Sequence, residues 1–180
     1  MVNPVSELIY PAASCAFAFT GAVFDIRSRR VPNFVTLPGI LCGLLLHLLA
    51  GGWVQLGSAA LAGLICFGIF LLFWLAGGMG AGDVKLMAAV GCLAGLPNVG
   101  NLLVSTALAG GLMAIVMAVW RGKAKETLLN VGALVVHHRL EGLTPHPSLN
   151  LSNSRTLRLP YAVPIATGCA MALCLAVVQR

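Results

Sequence analysis

Charge is scarce in this chain: only 9% of its 180 residues are Asp, Glu, Lys or Arg, against about 25% in an ordinary soluble domain. That shortage argues against a fold whose surface is covered by ionised side chains. Alternating polar and apolar residues are also missing, which argues against a lipid-facing β-barrel. No two of the six cysteines form a C-x-x-C pair, so zinc sites and redox motifs of that type have no support. Cys15, Cys42, Cys66, Cys92, Cys169 and Cys174 all lie in apolar stretches and read as small packing residues. The first apolar run has no basic segment ahead of it, and further runs follow. It therefore reads as a retained helix rather than a secretory signal.

What remains is apolar: 59% hydrophobic residues and a mean hydropathy of +0.95. In lipid the backbone must satisfy its own hydrogen bonds, which leaves helices. The expectation is an all-α integral membrane protein, a single domain over 1–180, without internal repeats. A crossing helix needs about 20 apolar residues, which places spans at 6–24, 34–50, 57–76 and 160–178. The stretch 84–120 is too long for one span. Its breakers Pro97, Asn98, Gly100 and Asn101 divide it into 84–97 and 100–120.

The basic residues test this division, because Lys and Arg near span ends collect on the cytoplasmic side. With six spans, Arg27, Arg29, Arg30, Lys85, Arg121, Lys123, Lys125, Arg139, Arg155 and Arg158 all fall on one side, and only Arg180 on the other. A single span over 84–120 would split them. The reading is therefore six spans, both termini outside the cytoplasm, and a cytoplasmic loop between the last two. The net charge of +6 then reflects topology and contact with anionic lipid rather than a nucleic-acid partner. In that loop, Glu126 to Leu140 is expected to form an interfacial helix, and the part from Gly142 onward is rich in turn formers. His137, His138 and His146 have no acid or cysteine cluster beside them and are assigned no metal. The spacings Gly39-x-x-x-Gly43 and Gly91-x-x-x-Gly95 predict close helix packing.

Only five residues are acidic. Glu7, Glu126 and Glu141 read as surface charges. Asp25 ends the first span and Asp83 begins the fourth, which places both on the cytoplasmic side at similar depth, where ionisable groups are costly and point to function. Two neighbouring carboxylates can share a proton, one taking a proton from water while the other donates to a peptide carbonyl. Gly77, Gly78, Gly80 and Gly82 precede Asp83 and permit positive φ and close approach of an extended chain, although they also suit a tight turn with Asp83 as a helix cap. After Asp25 come Arg27, Arg29 and Arg30, which also suit a plain basic loop with Asp25 paired to one of them, and then Pro32 and Asn33. Pro32 suits the first turn of the next helix, and Asn33 a cap or partner.

Together, Asp25 followed by Pro32-Asn33, the Gly80-Ala81-Gly82-Asp83 motif with Lys85 behind it, and the Leu159-Pro160-Tyr161-Ala162-Val163-Pro164 segment resemble the type IV prepilin peptidase family. This family belongs to the GxGD intramembrane aspartic proteases. The resemblance implies that Asp25 and Asp83 are the catalytic dyad, supported by Gly80, Gly82, Lys85, Pro32 and Asn33. It implies cleavage of the basic leader from prepilin or pseudopilin substrates at the cytoplasmic face of a bacterial inner membrane, with no cofactor. Lacking paired C-x-x-C motifs, the chain is similar to the short form of tight-adherence (Flp) pilus systems, for which methyltransferase activity is not expected. Two other classes are an ion- or proton-coupled transporter and a non-enzymatic pilus or secretion component. Against transport, both acids lie at one face and no span carries a charge at its centre.

Overall fold

A computed structural model describes residues 4–142, 144 and 160–178, and every regular element among them is helical: α1 Pro4–Ser28, α2 Asn33–Leu75, α3 Ala81–Ala94, α4 Leu96–Trp120, α5 Ala124–Glu141 and α6 Ala162–Val178. Leu8–Ser28, Asn33–Leu75 and Leu96–Trp120 are long and apolar enough to cross a membrane, and Ala162–Val178 is a shorter apolar helix. Their outward faces carry stripes at helical spacing, such as Leu37, Leu41 and Leu45 on α2 and Leu108, Leu112, Ile115 and Val119 on α4. A soluble monomer does not leave such surface uncovered. This is an all-α membrane protein.

Two of the breaks fall at glycines, whereas the α1–α2 turn contains none and uses a positive φ at Arg29. α2 contains the expected spans 34–50 and 57–76 as two arms, joined across Gly51 (φ −150°) and Gly52 (φ +68°, ψ −155°). Such a backbone at Gly52 excludes a side chain with a Cβ. The division of 84–120 falls at Gly95, with φ +73°, and not at the Pro97–Asn101 cluster. Pro97 instead occupies the first turn of α4, where its missing N–H removes no helical bond. Accordingly α3 stops at Ala94, short of the expected 84–97. Its 14 residues reach only about 21 Å, less than the ~30 Å hydrocarbon core.

α3 compensates by burial: every residue from Leu86 to Ala94 is buried, and α1, α2, α4 and α6 pack around it. The first arm of α2 runs parallel to it, with Gly39 facing Ala89 and Gly43 facing the Cys92–Leu93 backbone. The second arm runs antiparallel, with Gly91 against Cys66 and Ala62. A Cβ at Gly43 would stand 2.8 Å from backbone atoms of α3, so the small residue sets the interhelical distance. Gly95, by contrast, serves as a helix cap against the His47 ring, not as the packing residue its spacing suggested. His47 is buried, stacks on Tyr10 at 4.0 Å and bonds the Leu93 carbonyl at 3.3 Å.

The α1–α3 contact decides the site. Ser14 bonds the Val90 carbonyl at 3.4 Å and Gly21 receives the Leu86 side chain, so the two helices are antiparallel. That register brings the last turn of α1 to the first turn of α3. α5 covers the segment expected as an interfacial helix and leaves Leu128, Leu129, Val136 and Leu140 exposed. Most of the turn-rich part of the following loop, with His146, Arg155 and Arg158, lies outside the described residues.

Candidate active site

Asp25 and Asp83 meet at one end of the bundle, 8% and 7% exposed. Asp25 ends α1 and is not paired with the arginines that follow it. Its Oδ2 accepts the backbone N–H of Ala162 at 3.4 Å. That donor is the first residue of α6, where N–H groups have no helical partner and favour an anion. Asp83 is the third residue of α3. Its Oδ2 accepts the Gly80 N–H at 3.2 Å, while its own N–H bonds the Gly80 carbonyl at 3.2 Å. It thus caps α3 while its other oxygen, Oδ1, is buried without a hydrogen-bond partner.

The Asp83 carboxyl is also within reach of the Asp25 charge. The two acids are therefore close enough to feel each other. Tyr161, half-buried in the turn before α6, also lies within range of the Asp83 charge.

The glycines before Asp83 divide their work. Gly77 has φ +76° and ends α2: its N–H bonds Trp74 O at 2.9 Å and the Gly78 N–H bonds Phe73 O at 3.0 Å, the pattern of a Schellman cap. Gly80 is extended, at φ −83° and ψ 150°. Gly82 faces the α1–α2 turn, and a Cβ there would stand 3.2 Å from both the Cβ and the backbone N of Val31. Of the four, only Gly77 uses positive φ. The need for glycine at 82 comes from the chain's own neighbouring turn.

Pro32 precedes α2 as its N-cap residue, and Asn33 opens the helix with no side-chain capping bond. Asn33 Oδ1 instead accepts the Lys85 ammonium at 3.1 Å. That bond ties the turn after Asp25 to the helix of Asp83, so Lys85 points to Asn33 and not to the carboxylates. Sequence reasoning did not single out the Ala162 N–H or Tyr161 as site groups. A backbone donor has no side-chain signature, and only the Pro-Tyr segment hinted at it. Among the described residues no three His, Cys, Asp or Glu side chains group as a metal site.

The family model of the type IV leader peptidases matches residues 12–118, which takes in both aspartates. The chain belongs to the type IV leader peptidase family. It is similar to proteins described as prepilin leader peptidase/N-methyltransferase. The one from Pectobacterium carotovorum subsp. carotovorum is 36% identical over 120 residues, 62% of this chain and 41% of the relative. The one from Neisseria gonorrhoeae is 37% identical over 116 residues, 60% and 40%. The one from Burkholderia pseudomallei (strain K96243) is 31% identical over 135 residues, 69% and 42%. The chain spans about two fifths of the length of these relatives. No solved structure gives a significant match.

Proposed function

We propose that this member of the leader peptidase family is an aspartic endopeptidase that removes the basic leader from prepilin-like substrates, of Flp type, with Asp25 and Asp83 as its dyad. The observation that carries the reading is the convergence of two buried carboxylates, from helices far apart in sequence, at one end of a membrane bundle. Only the peptidase half of the relatives' description is proposed for this chain.

Asp83, whose Oδ1 is buried without a hydrogen-bond partner, holds the proton of the pair. Asp25, its ionised form supported by the Ala162 N–H, takes a proton from water as the oxygen attacks the scissile carbonyl carbon. Asp83 gives its proton to the carbonyl oxygen, forming a gem-diol. Collapse returns a hydroxyl proton to Asp83, moves the proton on Asp25 to the leaving nitrogen, and breaks the C–N bond. This is the shared-proton chemistry of carboxylate dyads. Gly82 lets the Asp83 turn seat against Val31, and Gly80 gives its N–H to the Asp83 carboxylate. Pro32, Asn33 and Lys85 hold the turn that follows Asp25.

In the same reading the chain sits in a bacterial inner membrane with six crossings, the two arms of α2 counting separately, and both termini outside the cytoplasm. The dyad then opens to the cytoplasm, where Arg27, Arg29 and Arg30 also lie. Incubation of the purified protein with a type IV prepilin tests the activity: a product shortened by its leader supports it, and ion flux without cleavage supports a transporter instead.

A further inference from the structure

Tyr161 is placed to serve both acids. It immediately precedes Ala162, whose N–H reaches Asp25. It also lines one cavity with Gly78 and Met79, the residues just ahead of the Gly80 whose N–H bonds Asp83. Its backbone is held: the Tyr161 carbonyl accepts the Ile165 N–H at 3.3 Å, and the Pro160 carbonyl accepts the Val163 N–H at 3.1 Å. The ring packs against the buried core. A residue just before a helix is favoured when its side chain can bond the free N–H groups, as Ser, Thr, Asp and Asn do. Tyrosine is not among them, so the start of α6 gives no local reason for this side chain.

Packing accounts for the ring and leaves the hydroxyl over. A tyrosine hydroxyl in a protein interior usually has a hydrogen-bond partner. This one makes no hydrogen bond among the described residues, although it lies within range of the Asp83 charge. Asp83 Oδ1 is likewise buried without a partner. Unmade bonds at buried polar groups are costly, and these two groups do not bond each other. Both are free for an oxygen that the chain itself does not supply.

Resting on the peptidase reading, we propose that Tyr161 is a further catalytic residue, whose hydroxyl donates a hydrogen bond to the scissile carbonyl oxygen. That oxygen takes its proton from Asp83 and becomes a hydroxyl of the gem-diol; the phenol keeps its own proton throughout. Water attack moves electron density onto the carbonyl oxygen, so the bond is stronger in the transition state than in the bound substrate. A donor of this kind acts on kcat rather than on KM.

The test is Tyr161→Phe, which keeps the ring and removes only the hydroxyl, assayed on a full-length prepilin in liposomes across a pH series. Expected is a loss in kcat of about 100-fold, the scale of one lost oxyanion donor, with KM within about twofold and the alkaline limb of the pH profile unmoved. A substrate peptide with a difluoroketone in place of the scissile amide hydrates to a gem-diol, and it should bind the variant more weakly by about the same factor. Uncleaved prepilin should bind Asp83→Asn and the double variant Asp83→Asn/Tyr161→Phe equally, which also reports that the fold is kept. A kcat within about threefold of wild type, or undiminished difluoroketone binding, overturns the proposal. So does a loss of kcat with a shifted alkaline limb, which places the hydroxyl on Asp83 and not on the substrate. Unequal prepilin binding by the two Asp83→Asn proteins overturns it as well, since the hydroxyl then serves ground-state binding or the fold. Absence of cleavage by wild type overturns the peptidase reading instead.

Discussion

The Asp25 carboxylate accepts a hydrogen bond from the Ala162 N–H at 3.4 Å across 137 positions of sequence. The start of the last helix is thereby tied to the end of the first, and the positive end of α6 faces one member of the acid pair. Bonds of a backbone donor to a carboxylate are worth about 1.5–3 kcal/mol. Ala162→Pro removes the donor at a first-turn position where proline is otherwise tolerated. The expected result is a 10- to 100-fold loss of kcat, on the order of that bond's contribution, with membrane insertion intact. An unchanged kcat would mean that the bond does not support the ionised base.

Asp83 also predicts a pH profile. In the proposed mechanism it must be neutral to donate, and a carboxyl next to a second carboxylate holds its proton only up to the pH at which it ionises. The acid partner is lost once it ionises, so cleavage should fall on the alkaline side of the pH profile. The same sign applies to stability: a buried carboxyl costs the folded state once it must ionise in place. Asp83→Asn, which never ionises, should therefore gain thermal stability over wild type at pH 8.5, an advantage that shrinks as pH falls and vanishes only below the ordinary carboxylate pKa of about 4. A pH–rate curve flat from 6 to 9 would remove Asp83 from the acid role.

Gly82 sets how closely the Asp83 turn approaches Val31. An added Cβ would crowd the Val31 side chain and backbone at 3.2 Å, so Gly82→Ala must shift the turn between Asp25 and α2 by a few tenths of an ångström. Small displacements at a catalytic pair can cost up to about 100-fold in rate. Gly82→Ala is expected to lose roughly tenfold or more in kcat and Gly82→Leu nearly all activity. Equal activity of wild type and Gly82→Ala would show that the approach is not critical.

Lys85 and Asn33 form one unit through their 3.1 Å bond. Lys85→Met and Asn33→Ala should each lower activity modestly, and the double variant should be no worse than either alone, as expected for residues acting together. Additive losses would show that Lys85 acts elsewhere.

Much of this arrangement could be read from residues alone because membrane helices leave few choices. The apolar runs gave an all-α membrane fold, and the scarcity of acids singled out Asp25 and Asp83. What the sequence did not disclose lies in the backbone and in partners. Gly95 competes with Pro97 as the break, and the preference for Gly95 is a matter of its left-handed φ, which a glycine permits but does not announce. The short span of α3 became intelligible only once its burial by both arms of α2 was known. Gly82 was legible as a close-approach glycine, but its neighbour Val31 was not. The Ala162 N–H was invisible, since any non-proline residue there would supply it.

The most direct test is leader removal from a type IV prepilin by the purified protein in liposomes, run side by side with Asp25→Asn and Asp83→Asn at equal amounts of inserted protein. The account predicts processing by wild type and none above background by either variant, with Asp83→Asn at least as stable as wild type at pH 8.5. Full processing by either variant would contradict the dyad.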